Sequence, residues 1–239
     1  MDNEKSKFFY VCLEGDYALF TNPTTKGGGE NVSCNAPSRQ ALNGIVDAIY
    51  YKPTIVNIID EVKVINPIQT ETMGSRMLLN NMGADLNYVT YLRDVKYLVK
   101  YHFEWNLTRE DLKQDRNMKK HEAITERSIQ RGGRRDVFLG TRECVGLVTG
   151  ITKEDYDNAQ GAYFNQTISF GLQFHSFIYP KSSKEKLKSC YTETVMKDST
   201  IVFKNQEDCE VINELSTYSF KESSQVKDVG TEYEEYENF

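Results

Sequence analysis

Two lysines and a histidine stand where a helix should repel cations. Residues 122–130 read as helix, and Asp115 or Asn117 is a good cap for its start. The approach to it runs Asp115-Arg116-Asn117-Met118-Lys119-Lys120-His121. A helix N-terminus carries a partial positive charge and unpaired backbone N–H groups, so acids belong there and lysines do not. The conflict disappears when a phosphate binds at that end, because amides, dipole and ammonium groups then all favour it. Arg116 and Lys119 would hold such a phosphate, and an imidazole beside it is a candidate proton-transfer group. The stretch suggests a protein that holds, and cuts, a phosphodiester. The bland readings are a packed histidine, since Met118, His121, Thr125 and Ser128 share one helix face, and a solvated Lys120.

A second basic group, Arg131-Gly132-Gly133-Arg134-Arg135, follows the helix. Its glycines let backbone approach phosphates closely, although a C-cap glycine with arginines at the negative dipole end accounts for the same residues. Lys100 and His102 lie on the polar face of a long predicted strand, where a sheet could meet RNA or simply water. His175 falls on the more polar face of another strand and receives no role. Asp47, Asp60, Asp115 and Asp136 lack metal-ligand spacing, so a two-metal nuclease fits poorly and neither metal nor cofactor is expected. Gly27-Gly28-Gly29 is not followed by the Gly-Lys-Ser/Thr of a P-loop.

The elements that must position these groups follow from periodicity. Residues 8–14 and 16–20 read as a strand, or a bent pair broken at Gly15-Asp16, and 22–33 as a flexible loop. Ser38 can cap a helix over 39–50 that puts Leu42, Ile45, Val46 and Ile49 on one face. Residues 55–68 read as one strand or two. In 88–107, Val95, Tyr97, Val99, Tyr101, Phe103 and Trp105 alternate with largely polar partners. A strand over 136–151 completes the order β-α-β-β-α-β, the ferredoxin-like unit also used by RNA-recognition modules. Residues 153–161 read as a polar loop, 167–179 as a strand, 181–189 as a basic linker and 200–204 as a short strand. The expected fold is therefore α+β: a ferredoxin-like domain over 1–151, then a small antiparallel β-sheet domain over 152–239 with an acidic tail, partly disordered beyond 216.

Composition permits this. The 239 residues are 39% hydrophobic and 27% charged, so a core can be buried. The net charge of −6 hides a division. Residues 93–142 carry 13 Lys and Arg against 8 Asp and Glu, whereas 221–239 carry two lysines against six acids. A basic middle suits electrostatic steering of a polyanion, and a solvated helix face is the plainer alternative. The apolar run 8–13 is too brief for a signal or membrane span, so no membrane association is expected. Five scattered cysteines without a C-x-x-C pair fit neither a disulfide framework nor a zinc site, and suit a reducing cytoplasm.

Four motifs in order carry a resemblance. They are Gly15-Asp16-Tyr17-Ala18-Leu19-Phe20-Thr21, then Ala41-Leu42-Asn43-Gly44-Ile45 through Ile49-Tyr50-Tyr51-Lys52-Pro53-Thr54, then Asp115-Arg116-Asn117 through Lys120-His121, then Gly132-Gly133-Arg134-Arg135-Asp136-Val137-Phe138-Leu139-Gly140. From about residue 8 to about residue 180 the chain resembles the CRISPR-associated Cas-five family of subtype I-C (Dvulg), in the RAMP superfamily. The resemblance implies a metal-independent endoribonuclease that cuts precursor CRISPR RNA at the base of the repeat stem-loop. It also implies retention on the 5′ handle beside other Cascade subunits. Its catalytic group, a tyrosine ending the first helix and a Lys-His pair starting the second, falls on Tyr50, Lys120 and His121. Other subtypes suggest an alternative, a non-catalytic subunit that only binds the 5′ handle. Tyr50 rests on the resemblance alone, because two roughly parallel helices would set the end of one far from the start of the other.

Overall fold

Alternation builds the centre of the molecule. In this computed structural model, which describes residues 4–21, 25, 31–78, 83–180, 185–217 and 228–237, the elements of the first half run β1 (Phe9–Ala18), β2 (Asn31–Val32), α1 (Arg39–Ile49), β3 (Ile55–Val64), β4 (Gln69–Leu78) and β5 (Ala84–Trp105). A 3-10 turn (Glu110–Asp115), α2 (Met118–Gln130), β6 (Val137–Phe138) and β7 (Val145–Gly150) follow. The sheet order β3-β5-β1-β7, antiparallel throughout, is the expected ferredoxin-like arrangement.

Val99, Tyr101, Phe103 and Trp105 face the core as the alternation requires, together with Leu42, Ile45, Val46 and Ile49 from α1. Ser38 caps α1 by accepting from the Ala41 N–H at 3.2 Å. Asn117, one of the two expected caps, accepts from the Lys120 N–H at 3.2 Å and starts α2. β5 begins before its expected start at Tyr88, because its first half pairs with β4, and ends before the expected Leu107; its second half pairs with β1 and β3. Asp94, at φ 50°, marks the changeover.

Of the two readings of residues 8–20 the single strand holds, running unbroken through Gly15, which pairs with Val95. Other expectations need correcting. The single strand over 136–151 is a hairpin, β6 against β7, bent at Gly140 (φ 99°), where a Cβ would run into the Leu19 carbonyl. The polar loop after 152 holds a helix, α3 (Lys153–Asn158), closed by reciprocal hydrogen bonds between Thr152 and Asp155. Part of the basic linker is strand: β9 begins at Lys186. Residues 181–184, and the Gly27-Gly28-Gly29 part of the early loop, lie outside the described residues.

The C-terminal strands pair antiparallel as expected: β8 (Thr167–Ile178) with β9 (Lys186–Lys197), and β9 with both β10 (Thr200–Val202) and β11 (Val211–Thr217). They continue the first sheet, because Ile201 of β10 pairs with Val62 of β3. Of the tail expected to be partly disordered, residues 218–227 and 238–239 lie outside the described residues, and Val229–Glu237 forms a helix, α4. Among the described residues no helix is long and apolar enough to cross a membrane.

Candidate active site

Antiparallel pairing of β3 with β5 assembles the site. Ile55, the first residue of β3, pairs with Trp105, the last of β5. The chain enters β3 from α1 and leaves β5 towards α2, so the end of one helix meets the start of the other. Asn106 fastens the corner, its N–H donating to the Thr54 carbonyl at 2.8 Å and its side chain to the Pro53 carbonyl at 3.0 Å. The objection that parallel helices would separate Tyr50 from α2 therefore fails.

Tyr50 and His121, 71 residues apart, meet at 2.9 Å between the phenol oxygen and Nδ1. The other ring nitrogen, Nε2, lies 3.0 Å from the backbone carbonyl of Asp115. A carbonyl only accepts, so Nε2 carries a proton. In the neutral ring Nδ1 is then the free lone pair, and the Tyr50 hydroxyl donates to it. Phe103 and Trp105 wall the imidazole at 6.1 and 5.6 Å between ring centroids. His121 is 0% exposed and Tyr50 2%, so both rings lie inside the surface rather than on it.

Asp115 is the third member, a residue whose place in the sequence suggests a helix cap but no bond to the ring. Its carboxylate accepts from the Thr54 hydroxyl at 2.6 Å and from the Val229 N–H at the start of α4, and lies 3.7 Å from His121 Nε2. Thr54, wholly buried, ends the second of the four motifs, but nothing in the sequence gives it a role of its own.

Cations ring this group. Lys120 is half-buried, one position before His121, with its ammonium 5.7 Å from the ring of Tyr233 on α4. Asp228 precedes that helix. Hydrogen bonds from Thr231 hold its carboxyl below the usual range, and Lys120 adds to the effect. Lys119 is exposed on the same turn. Arg131, Arg134 and Arg135 are exposed in the loop after α2, which is tied to the end of α1: the Arg135 N–H donates to the Ala48 carbonyl at 3.1 Å and the Arg134 N–H to Ile49 at 3.2 Å. The Arg134 guanidinium lies 5.6 Å from the centre of the Tyr50 ring. The C-cap reading holds too: Gly132 and Gly133 take φ 80° and 109°, and their N–H groups close α2 on Ile129 and Ser128.

Three of the expected RNA contacts are engaged elsewhere. Arg116 spends its guanidinium on the carbonyls of Asn106 and Arg109, at 3.1 and 3.2 Å. Lys100 and His102 point from the other face of β5. Lys100 pairs with Glu61 at 2.7 Å. His102 is buried, 2.8 Å from Asp60 and 3.4 Å from Glu104. Acids answer the cations of that face, so it is not a bare basic platform. His175 is a core residue, its titration pushed down to about 4 chiefly by burial. A cavity of about 1060 Å³ between α1 and β8, lined by Phe20, Ser38, Gln173, His175 and Tyr191, includes neither Tyr50, Asp115, Lys120 and His121 nor the loop arginines. Among the described residues no three His, Cys, Asp or Glu side chains gather as a metal site, and all five cysteines are free thiols.

Known proteins share this architecture. The family described as CRISPR-associated protein (Cas_Cas5), of the Cas5d type, matches residues 10–207. A curated relative, the CRISPR pre-crRNA endoribonuclease Cas5d of Mannheimia succiniciproducens, is 38% identical over 73 residues, a stretch that spans 30% of this chain and 30% of that protein. A solved structure described as a CRISPR-associated protein is 52% identical, with a TM-score of 0.78, over 89% of this chain and 100% of that one. A functionally uncharacterized protein from Streptococcus mutans is 53% identical, with a TM-score of 0.77, over the same shares.

Proposed function

The chain belongs to the Cas5d family of CRISPR-associated proteins, and on that footing we propose that it is an endoribonuclease that cuts precursor CRISPR RNA within the repeat, at the base of the stem-loop. The observation that carries the reading is the 2.9 Å hydrogen bond from the Tyr50 phenol to His121 Nδ1, at the lysine-bearing start of α2. The activity in the name of the Mannheimia relative supports it over the residues matched.

RNA can be cut without a metal because its 2′-OH is an internal nucleophile beside the scissile phosphate. The protein must orient that hydroxyl, take its proton and meet the added negative charge. Tyr50 and His121 act as one base: the phenol passes its proton to Nδ1 as it takes the proton of the 2′-OH. The Nε2–H bond to the Asp115 carbonyl holds the ring while it becomes positive. Lys120 and the first amides of α2 stabilise the phosphate in the transition state. Because both rings are buried, RNA reaches the phenol by drawing the Arg134 guanidinium off the Tyr50 ring and onto a phosphate. As the 2′-oxygen bonds to phosphorus the P–O5′ bond breaks and the departing 5′-oxygen takes a proton from water, leaving a 2′,3′-cyclic phosphate and a 5′-hydroxyl. The protein then stays on the 5′ handle with other Cascade subunits, in the cytoplasm.

One observation favours the second reading, a non-catalytic subunit bound to the 5′ handle: His121 is enclosed and both its nitrogens are engaged, as in a structural histidine. Purified protein incubated with labelled stem-loop repeat in EDTA separates the two. The proposal expects a cut with the stated end groups, and no cut when the nucleotide 5′ to the scissile bond is 2′-deoxy although that RNA still binds. Cleavage of the deoxy substrate, or strict dependence on Mg²⁺, contradicts the mechanism. Binding without cleavage leaves the second reading standing.

A further inference from the structure

We propose that Asp115 is a positioning residue for His121, setting both its tautomer and its proton affinity; the inference rests on the endoribonuclease reading and deepens it. Asp115 holds the ring in two ways. Its carbonyl takes the Nε2 proton at 3.0 Å, which leaves Nδ1 unprotonated toward Tyr50. Its carboxylate stands 3.7 Å from the same Nε2, inside a site that excludes water. An anion at that distance favours imidazolium over imidazole. Burial acts in the opposite direction, so a ring walled by Phe103 and Trp105 needs such a partner to accept a proton near neutral pH.

The carboxylate is itself fixed. Thr54 donates to one oxygen at 2.6 Å and the Val229 N–H to the other, so both oxygens act as acceptors. This resembles the way a carboxylate orients a catalytic imidazole in other hydrolases, with a backbone carbonyl doing the orienting and the carboxylate supplying the charge. Several elements bring charged and titratable groups to His121. Tyr50 comes from the end of α1, Asp115 from the 3-10 turn, Lys120 from α2 itself, and Asp228 from the start of α4 beside Lys120; Arg134 lies beyond the Tyr50 ring, and β5 sets the rings of Phe103 and Trp105 against the imidazole. Asp115 puts an anion in direct reach of the ring.

Asp115→Asn removes the charge and keeps the carbonyl. We expect the titration midpoint of His121, followed by long-range ¹H–¹⁵N NMR of the RNA-free protein, to fall by about one unit or more, because an opposite charge within 4–6 Å shifts a group by that order. The Nε2–H tautomer should persist in both proteins. In single-turnover cleavage at saturating repeat RNA, the pH limb belonging to His121 should move to lower pH by the same amount, with RNA affinity unchanged. Thr54→Val, which frees the carboxylate, should move both in the same direction by less, and it carries the test if Asp115→Asn does not fold. An unmoved midpoint overturns the inference, as does a loss of rate that only tracks the folded fraction. The NMR arm needs no activity. An inactive wild-type protein whose His121 midpoint still depends on Asp115 refutes the cleavage reading and keeps the pairing.

Discussion

Two buried histidines sit on opposite faces of β5, and their surroundings differ in kind. His102 is held between two carboxylates, Asp60 and Glu104, while its neighbour Lys100 pairs with Glu61. On that face acids and cations answer one another. His121 is held between a phenol that donates and a carbonyl that accepts, so one nitrogen keeps a lone pair against a proton donor. Around it stand Lys120, Lys119, Arg134 and Arg135, at a helix end that itself favours anions. The first arrangement has done its electrostatic work on folding. The second can gain from an arriving phosphate. Burial alone does not separate a structural histidine from a chemical one; the partners do.

The comparison breaks most visibly at Lys120. Losing a preorganised charge that meets a developing anion costs about 10²–10³ in rate, so Lys120→Ala should lose that much single-turnover cleavage with little change in repeat affinity. Lys100→Ala, on the answered face, should cut at nearly the wild-type rate. A Lys120→Ala protein that cuts within a few-fold of wild type would remove the cation from the mechanism.

Tyr50→Phe tests whether the phenol carries a proton. A relay predicts a loss within the roughly 10²–10⁴ range of general acid–base catalysis; a phenol that only orients the 2′-OH predicts a milder one. The substitution also leaves His121 Nδ1 buried without its donor, at about 1–3 kcal/mol of stability, so urea melts must accompany the kinetics.

The arginine loop comes next. Changing Arg134 and Arg135 together to Ala should weaken binding and flatten the plot of log affinity against log salt by about 0.7 per lost contact to single-stranded RNA. Saturating RNA should restore much of the cleavage. An unchanged slope would make the loop structural only, its backbone bonds to Ala48 and Ile49 being its whole role.

The smallest effect belongs to Asp228. Its carboxylate lies beside Lys120, where a phosphate would compete with it. Asp228→Asn should tighten repeat binding by about two- to threefold at low salt, an advantage that fades as exposed charges are screened. Equal affinities at low salt would mean that α4 leaves the lysine open.

How much of this was legible depended on distance along the chain. Ser38 and the Leu42, Ile45, Val46, Ile49 face declared α1, and Asn117 declared the start of α2, because caps and helical period are local. The alternation of Val95 to Trp105 declared β5, although not its polar face: His102 is buried there, since Asp60 and Glu104 close over it. The helix Lys153–Asn158 was missed although Thr152 and Asp155 have capping-box spacing, because six residues are too few to show a period. The pairing of Tyr50 with His121 comes from strand order, which no local pattern carries, and so do Thr54 and Val229 on Asp115.

The most direct test sets the two histidines against each other. Single-turnover cleavage of a stem-loop repeat, in EDTA and at saturating protein, would be compared for wild type, His121→Ala and His102→Ala, with each variant's repeat affinity and urea midpoint recorded. The account predicts that His121→Ala binds RNA normally and loses about 10²–10⁴ in rate, while His102→Ala loses stability and, where folded, cuts at nearly the wild-type rate. A His121→Ala protein that cuts within a few-fold of wild type, or a His102→Ala protein that folds and binds but does not cut, would contradict it.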